Sequence, residues 1–439
     1  MSQDPREVLA RSPMSGFQIV VVALCVALNA LDGFDVLAIA FASPGIRTEW
    51  GISNETLGFV LSMELVGMGL GSILIGGLAD RVGRRPVVLV CLMIMTVGMF
   101  ATSTARGVLD LSAYRIFTGL GIGGMLSSVT AMVAEYSNTR RRNLAVTLMG
   151  AGYPLGIVLG GSVVAGFEWR SVFVFGSVAS VIFLPLVWFL MPESIEFLSQ
   201  RRPARALERV NATLRRMGHA SVSGLAEATA PVRIPIAQLF SPALARSTIV
   251  LSVVYFAHIM TFYFFLKWVP QLVVAMDYPP PTAGAVLTWA NVGSVTGAVL
   301  IGLLALRFGV RGLVVGALAF AAVAIVVFGQ DHSDLTELKL VAAVVGFFTN
   351  SAIVGIYALF AHAYPTEARA GGTGFVIGVG RGGAALGPVI AGFLIGAGQS
   401  LAVVAAVMAS GSAIAAVALL FLRVKEAGAP PAPAAQPAE

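Results

Sequence analysis

From Phe17 to Leu422 the chain alternates between long apolar runs and polar breaks. Each run is about 20 residues long, the length a helix needs to cross the hydrocarbon of a bilayer. Twelve runs can be counted, over roughly 17–42, 55–78, 86–104, 108–134, 144–166, 170–191, 247–275, 283–306, 311–329, 338–363, 371–396 and 400–422. Most breaks are short. The exception, Pro192 to Arg246, is polar and Arg-rich, with helical patterning from Ala204 to Met217. After Lys425 the sequence turns to Ala and Pro and is expected to be disordered. The pattern predicts an all-α polytopic membrane protein. Residues 1–191 form a first six-helix half, 192–246 a linker, 247–425 a second half and 426–439 a tail.

Composition agrees with this reading. The chain is 57% hydrophobic and 11% charged, against about 25% charged residues in soluble domains. Cys25 and Cys91 both fall in apolar runs, which argues against a disulfide framework. The polar stretch Met1 to Ser15 precedes an apolar run too long for a signal-peptide core, so the first span is expected to be retained. A net charge of +6 would suggest nucleic acid for a soluble protein. Here the basic residues gather in one set of loops. Of the 28 Lys and Arg, alternate loops on one side hold Arg47, Arg106, Arg170 and Lys339, while Arg115, Lys267 and Arg381 lie within spans. The remaining 21 lie on the side of the N-terminus. By the positive-inside rule both termini are cytoplasmic, and nucleic acid is not a partner.

The chain also repeats itself. Gly76 to Arg85 reads G-G-L-A-D-R-V-G-R-R, and 226 residues later Gly302 to Arg311 reads G-L-L-A-L-R-F-G-V-R. The same shift carries Pro44 onto Pro270. A shift of 228 carries Tyr136, Arg141, Gly150 and Gly152 onto Tyr364, Arg369, Gly378 and Gly380. Two parallel six-helix halves, with a site between them near the bilayer midplane, are a transporter architecture.

The D-R-x-G-R-R loop between spans two and three, with its degenerate copy after span eight, resembles the major facilitator superfamily over the whole chain except its two tails. Within that superfamily, D-G-F-D at Asp32 to Asp35, Y-P-T-E-A-R-A from Tyr364 and G-V-G-R at Gly378 to Arg381 resemble the aromatic acid:proton symporter family. The resemblance implies a major facilitator fold of two pseudo-symmetric halves. It also implies proton-coupled uptake of a small aromatic carboxylate across a bacterial inner membrane, by a functional monomer. Proton-coupled export of anionic metabolites or drugs is the alternative.

Charges inside spans need a reason, because each costs about 2.5–3.5 kcal/mol at mid-membrane on insertion scales. Asp32 and Asp35 lie three residues apart and share a helix face. They can hold the bundle together by pairing, or carry a proton; the resemblance implies a transport role. Glu64 is a second candidate proton carrier, or a hydrogen-bonding group between helices. Arg115, beside Gly119, Gly121, Gly123 and Gly124, can pair with the aspartates, face the cavity or snorkel from near a helix end. Arg381 lies too deep to snorkel easily and is the candidate for the substrate carboxylate. Lys267, flanked by Trp268, departs from the family's commoner pattern; it is either a second anion anchor or an interfacial lysine, and Trp268 either stacks on a substrate ring or is a core or lipid-facing aromatic. His258 maps onto Asp32 at the 226 shift and is either a proton relay or a packed side chain.

By the same resemblance the loop residues Asp80, Arg81, Arg84 and Arg85 gate the transporter, with Glu135, Arg141 and, in the second half, Arg369 as partners. Leu306 stands where the second copy would have its acid. No metal-ligand spacing, phosphate-binding loop or nucleophile elbow is present, so no enzyme activity, metal or cofactor is expected.

Overall fold

A computed structural model describes residues 4–164, 166–225, 235–305, 307–332 and 334–422. The Ala/Pro tail and Leu306 lie outside the described residues. Among those described, twelve helices are long and apolar enough to cross a membrane. They are α1 (Gly16–Trp50), α2 (Asn54–Leu74), α3 (Arg84–Ser103), α4 (Val108–Tyr136), α5 (Arg142–Val164), α6 (Trp169–Leu190), α7 (Ala245–Ala275), α8 (Pro280–Leu304), α9 (Val310–Phe328), α10 (Leu335–Ala363), α11 (Thr366–Gly396) and α12 (Leu401–Leu419). An even number of crossings returns the chain to the face it started from, called here the terminal face. The linker adds the helices Ile195–Arg201 and Ala206–Arg216, the second within the stretch its patterning predicted.

Helix starts follow the sequence. Ser15 caps α1, accepting from the Gln18 N–H while the Gln18 side chain accepts from the Ser15 N–H. Ser53 and Ser400 cap α2 and α12. α1 runs eight residues beyond the predicted end at 42, straight through Pro44. Pro44 brings no N–H to the Ala40 carbonyl, and the Ser43 hydroxyl takes that acceptor instead at 2.8 Å.

Two bundles result. α1 packs on α5 and α6, α2 on α4, and α3 on α4 and α6; six positions later α7 packs on α11 and α12, α8 on α10, and α9 on α10 and α12. The bundles meet through α1–α7, α2–α11 and α5–α8, and exchanging i with i+6 turns the second pair into the third. In the most apolar stretch, 67% of residues are buried in α1 and in α7 but 33% in α6 and in α9. The interior is therefore lined by α1 and α7, while α6 and α9 lie on the outside.

Small residues set the crossings. A Cβ at Gly33, Gly152 or Gly156 would collide with backbone of the partner helix, at Tyr153, Val26 and Ala30 respectively. Gly67 and Gly71 of α2 meet the backbone of Ile116 and Leu120, and Gly119 and Gly123 of α4 meet Glu64 and Met68. The α8–α10 crossing is built the same way, with Gly293 on Ala343 and Gly346 on Ala290.

Candidate functional site

α1 delivers Asp32 and Asp35 near its middle, and both are buried. Gly33 between them lets α5 come within backbone contact, which shuts out water on that side. Neither oxygen of Asp35 has a hydrogen-bond partner, nor does Oδ1 of Asp32. The cations nearby serve other acceptors. Arg115, fully buried in α4, forms an ion pair with Glu64 of α2 and donates at 2.8 Å to the backbone carbonyl of Asp35 rather than to its carboxyl group. Its guanidinium also lies 5.4 Å from the centre of the Phe173 ring and 3.1 Å from the Met99 sulfur. Lys267 of α7 donates to the other Glu64 oxygen at 2.9 Å and to the Val36 carbonyl of α1. Five charged side chains predicted separately thus form one cluster, with Glu64 at its hub.

Arg381 lies apart, midway along α11, with its Cβ 3.6 Å from where a Cβ would stand on Gly69 of α2. It is half-buried, and among the described residues it has no hydrogen-bond or ion-pair partner. The phenols of Tyr153 (α5), Tyr255 and Tyr263 (α7) and Tyr357 (α10) lie within electrostatic reach of it. Tyr255 and Tyr357 share a 2.9 Å hydrogen bond, and the buried Tyr153 hydroxyl has no partner. Tyr153 lies within electrostatic reach of both Glu64 and Arg381. Sequence reading missed these tyrosines. They come from three helices and follow no common spacing.

The remaining candidates point elsewhere. Both ring nitrogens of His258 are engaged inside the second bundle, 2.9 Å from Ser412 Oγ and 2.9 Å from the Thr349 carbonyl. The Trp268 indole donates at 3.0 Å to the Pro388 carbonyl of α11. Neither has a donor or ring nitrogen left for a ligand.

Comparison with known proteins decides the family. The Major Facilitator Superfamily model matches residues 22–281 and 251–439. The chain belongs to that superfamily. It is 31% identical over 429 residues to the 4-hydroxybenzoate transporter PcaK of Pseudomonas aeruginosa, covering 95% of each chain. It is 30% identical to PcaK of Acinetobacter baylyi, covering 95% of this chain and 94% of the relative. The gallate transporter of Pseudomonas putida is 29% identical over the same shares of the two chains. The inward open conformation of the xylose transporter XylE from E. coli superposes with a TM-score of 0.70 at 16% identity, covering 93% of this chain and 97% of that one. The family is that of the aromatic acid transporters, and the chain is a multi-pass membrane transporter, not an enzyme.

In this facilitator the loop before α3 is held by acids of the first bundle. Gly83, at φ 109°, turns the chain into α3. Glu193 accepts there from the N–H groups of Arg84 at 2.8 Å and Arg85 at 3.4 Å, a charged cap on a helix N-terminus. Arg84 pairs with Asp80 at 3.2 Å and Glu135 at 3.5 Å, and Ser194 donates to Glu135. Arg85 lies over the Trp188 ring at 5.1 Å, and Arg201 reaches the Asp80 carbonyl at 2.9 Å. Arg81, Arg141 and Arg369 are exposed. Glu193 was not among the predicted residues; its signal is an acid in the first residues of the linker, directly after span six.

Proposed function

We propose that this transporter imports a small aromatic carboxylate together with protons, in a bacterial inner membrane with both termini cytoplasmic. The observation that carries the reading is Arg381. A guanidinium at mid-membrane without a counterion is costly, and it offers a bidentate site for a carboxylate. The surrounding phenols present ring faces for stacking and hydroxyls for polar ring substituents. The names of the relatives, transporters of 4-hydroxybenzoate and gallate, support an aromatic acid. Asp32 and Asp35 supply the proton. Both oxygens of Asp35 and Oδ1 of Asp32 lack donors and so are free to take up and release one, whereas Glu64 is held between two cations. Three acids against two bases leave room for one proton in a neutral cluster. Moving an anion inward against the membrane potential costs about 2.3 kcal/mol per charge per 100 mV, a cost that an accompanying proton removes.

The test is transport by purified protein in vesicles. Adding 4-hydroxybenzoate outside should make the external medium more alkaline, and Asp32→Asn and Asp35→Asn should each abolish uptake driven by a proton gradient. Acidification of that side would instead indicate exchange. Undiminished, uncoupler-sensitive uptake in both variants would reject the proton role. Arg381→Ala should weaken binding of aromatic acids more than of their neutral amides; equal losses would reject the carboxylate role.

A further inference from the structure

Lys267 belongs to the second bundle, but its ammonium group is buried in the first. Its side chain is fully enclosed, and both of its acceptors, Glu64 Oε2 and the Val36 carbonyl, come from α2 and α1. Among the described ion pairs, Lys267–Glu64 is the one that joins the two bundles. It also has a definite depth. Lys267 lies eight residues before the end of α7 at Ala275. Glu64 lies ten residues after the start of α2 at Asn54. At 1.5 Å per residue both sit about 12–15 Å below the face opposite the termini. On that far side the bundles touch closely. A Cβ on Gly58 of α2 would meet the Pro388 carbonyl and Gly392 of α11, one on Gly396 would meet Glu55, and one on Gly161 of α5 would meet Thr288 of α8. Nearer the terminal face, Gly150 of α5 and Gly371, Gly374 and Gly378 of α11 have nothing within 4 Å.

We infer that Lys267 is a positioning residue of the transport cycle: its ion pair with Glu64 is a clasp that keeps the far face closed, and it releases when that face opens. The partners suit a contact that breaks and reforms. Arg115 holds the other Glu64 oxygen from within the first bundle, so Glu64 keeps a counterion when Lys267 withdraws. Lys267 leaves along its own helix, because nothing else in its bundle holds the ammonium. The charged and titratable groups around the clasp are Asp32 and Asp35 of α1, Glu64 of α2, Arg115 of α4, Tyr153 of α5 and Tyr263 of α7. The inference concerns closure of the fold and holds whatever the solute.

The experiment places spin labels on the far face of the full-length protein, at cysteines replacing the exposed Arg106 and Gln399, one on each bundle. The native Cys25 and Cys91 are buried. Lys267→Met keeps the length and packing of the side chain and leaves Glu64 paired with Arg115. It should raise the long-distance population several-fold without solute, whereas Lys267→Arg should keep the parent distribution. An unchanged distribution in Lys267→Met overturns the clasp. If Lys267→Met does not fold, Glu64→Asp decides. The shortened carboxylate draws back from both cations, but Arg115 keeps its other contacts inside the first bundle while Lys267 keeps only the Val36 carbonyl across the seam, so the same shift is expected, and no shift is again an overturn.

Discussion

At the scale of single residues, the buried charges differ in what they hold. Arg115 has an ion pair, a backbone acceptor and an aromatic face, all within the first bundle. Replacing it with Leu leaves Glu64, Asp32 and Asp35 facing Lys267 alone. Breaking a buried pair in this way costs about 3–5 kcal/mol, and thermal unfolding of the purified variant should show it. Lys267→Met leaves the same balance of charge but removes no aromatic contact, and should cost less; the reverse order would contradict the sharing of Glu64. Asp35 is the opposite case. With no donor to either oxygen, Asp35→Asn removes no bond, so its unfolding free energy should stay within about 1 kcal/mol of the parent while proton-driven accumulation is lost. A variant that lost stability and accumulation together would mark Asp35 as structural. The sequence announced these residues, because charge in an apolar run is conspicuous. It did not announce their pairing. Glu64 and Lys267 are 203 positions apart, and no local pattern encodes a contact made by docking two bundles. The tyrosines around Arg381 were hidden for a related reason: an aromatic in a membrane helix reads first as core or lipid contact.

At the scale of elements, the spans were legible because apolar length is a strong signal, and their ends less so. α1 outran its predicted end because a hydroxyl covered the carbonyl that proline exposes, and α11 starts at Thr366 rather than at 371. The crossings were partly visible as glycines, but which glycine meets a neighbour depends on how the helix is rotated. Gly150 and Gly156 of α5 make the point. Gly156 abuts the Ala30 backbone, and Gly150 faces open space. Gly156→Ala should therefore separate α1 from α5 and lose about 1–3 kcal/mol. Gly150→Ala should be neutral or gain up to about 1 kcal/mol from the better helix former. Equal melting temperatures for the two variants would mean the α1–α5 contact is looser than the structure shows.

At the scale of the whole molecule, the two bundles are each bound by glycine-mediated crossings and meet each other through fewer pairs of helices. Such a body is expected to rock at its weakest seam rather than deform within a bundle. The seam is tightest at the far face. Gly58 and Gly392 stand so near that a Cβ on Gly392 would lie 3.1 Å from the Gly58 Cα and 2.7 Å from the Asn54 carbonyl. Backbone is on both sides, so no side chain can swing away to make room. Gly392→Leu should therefore exclude the closed arrangement while sparing each bundle, since the added side chain points at the partner bundle and not at its own. The distance between labels at positions 106 and 399 should lengthen, and solute accumulation should stop. Binding of the aromatic acid should persist, because Arg381 lies at mid-span, its tyrosines lie there or nearer the terminal face, and their backbones are untouched. Loss of binding together with accumulation would place the α2–α11 seam inside the binding site itself. An unchanged distance with normal transport would show that α2 and α11 can yield locally, and that the seam is not where the molecule moves.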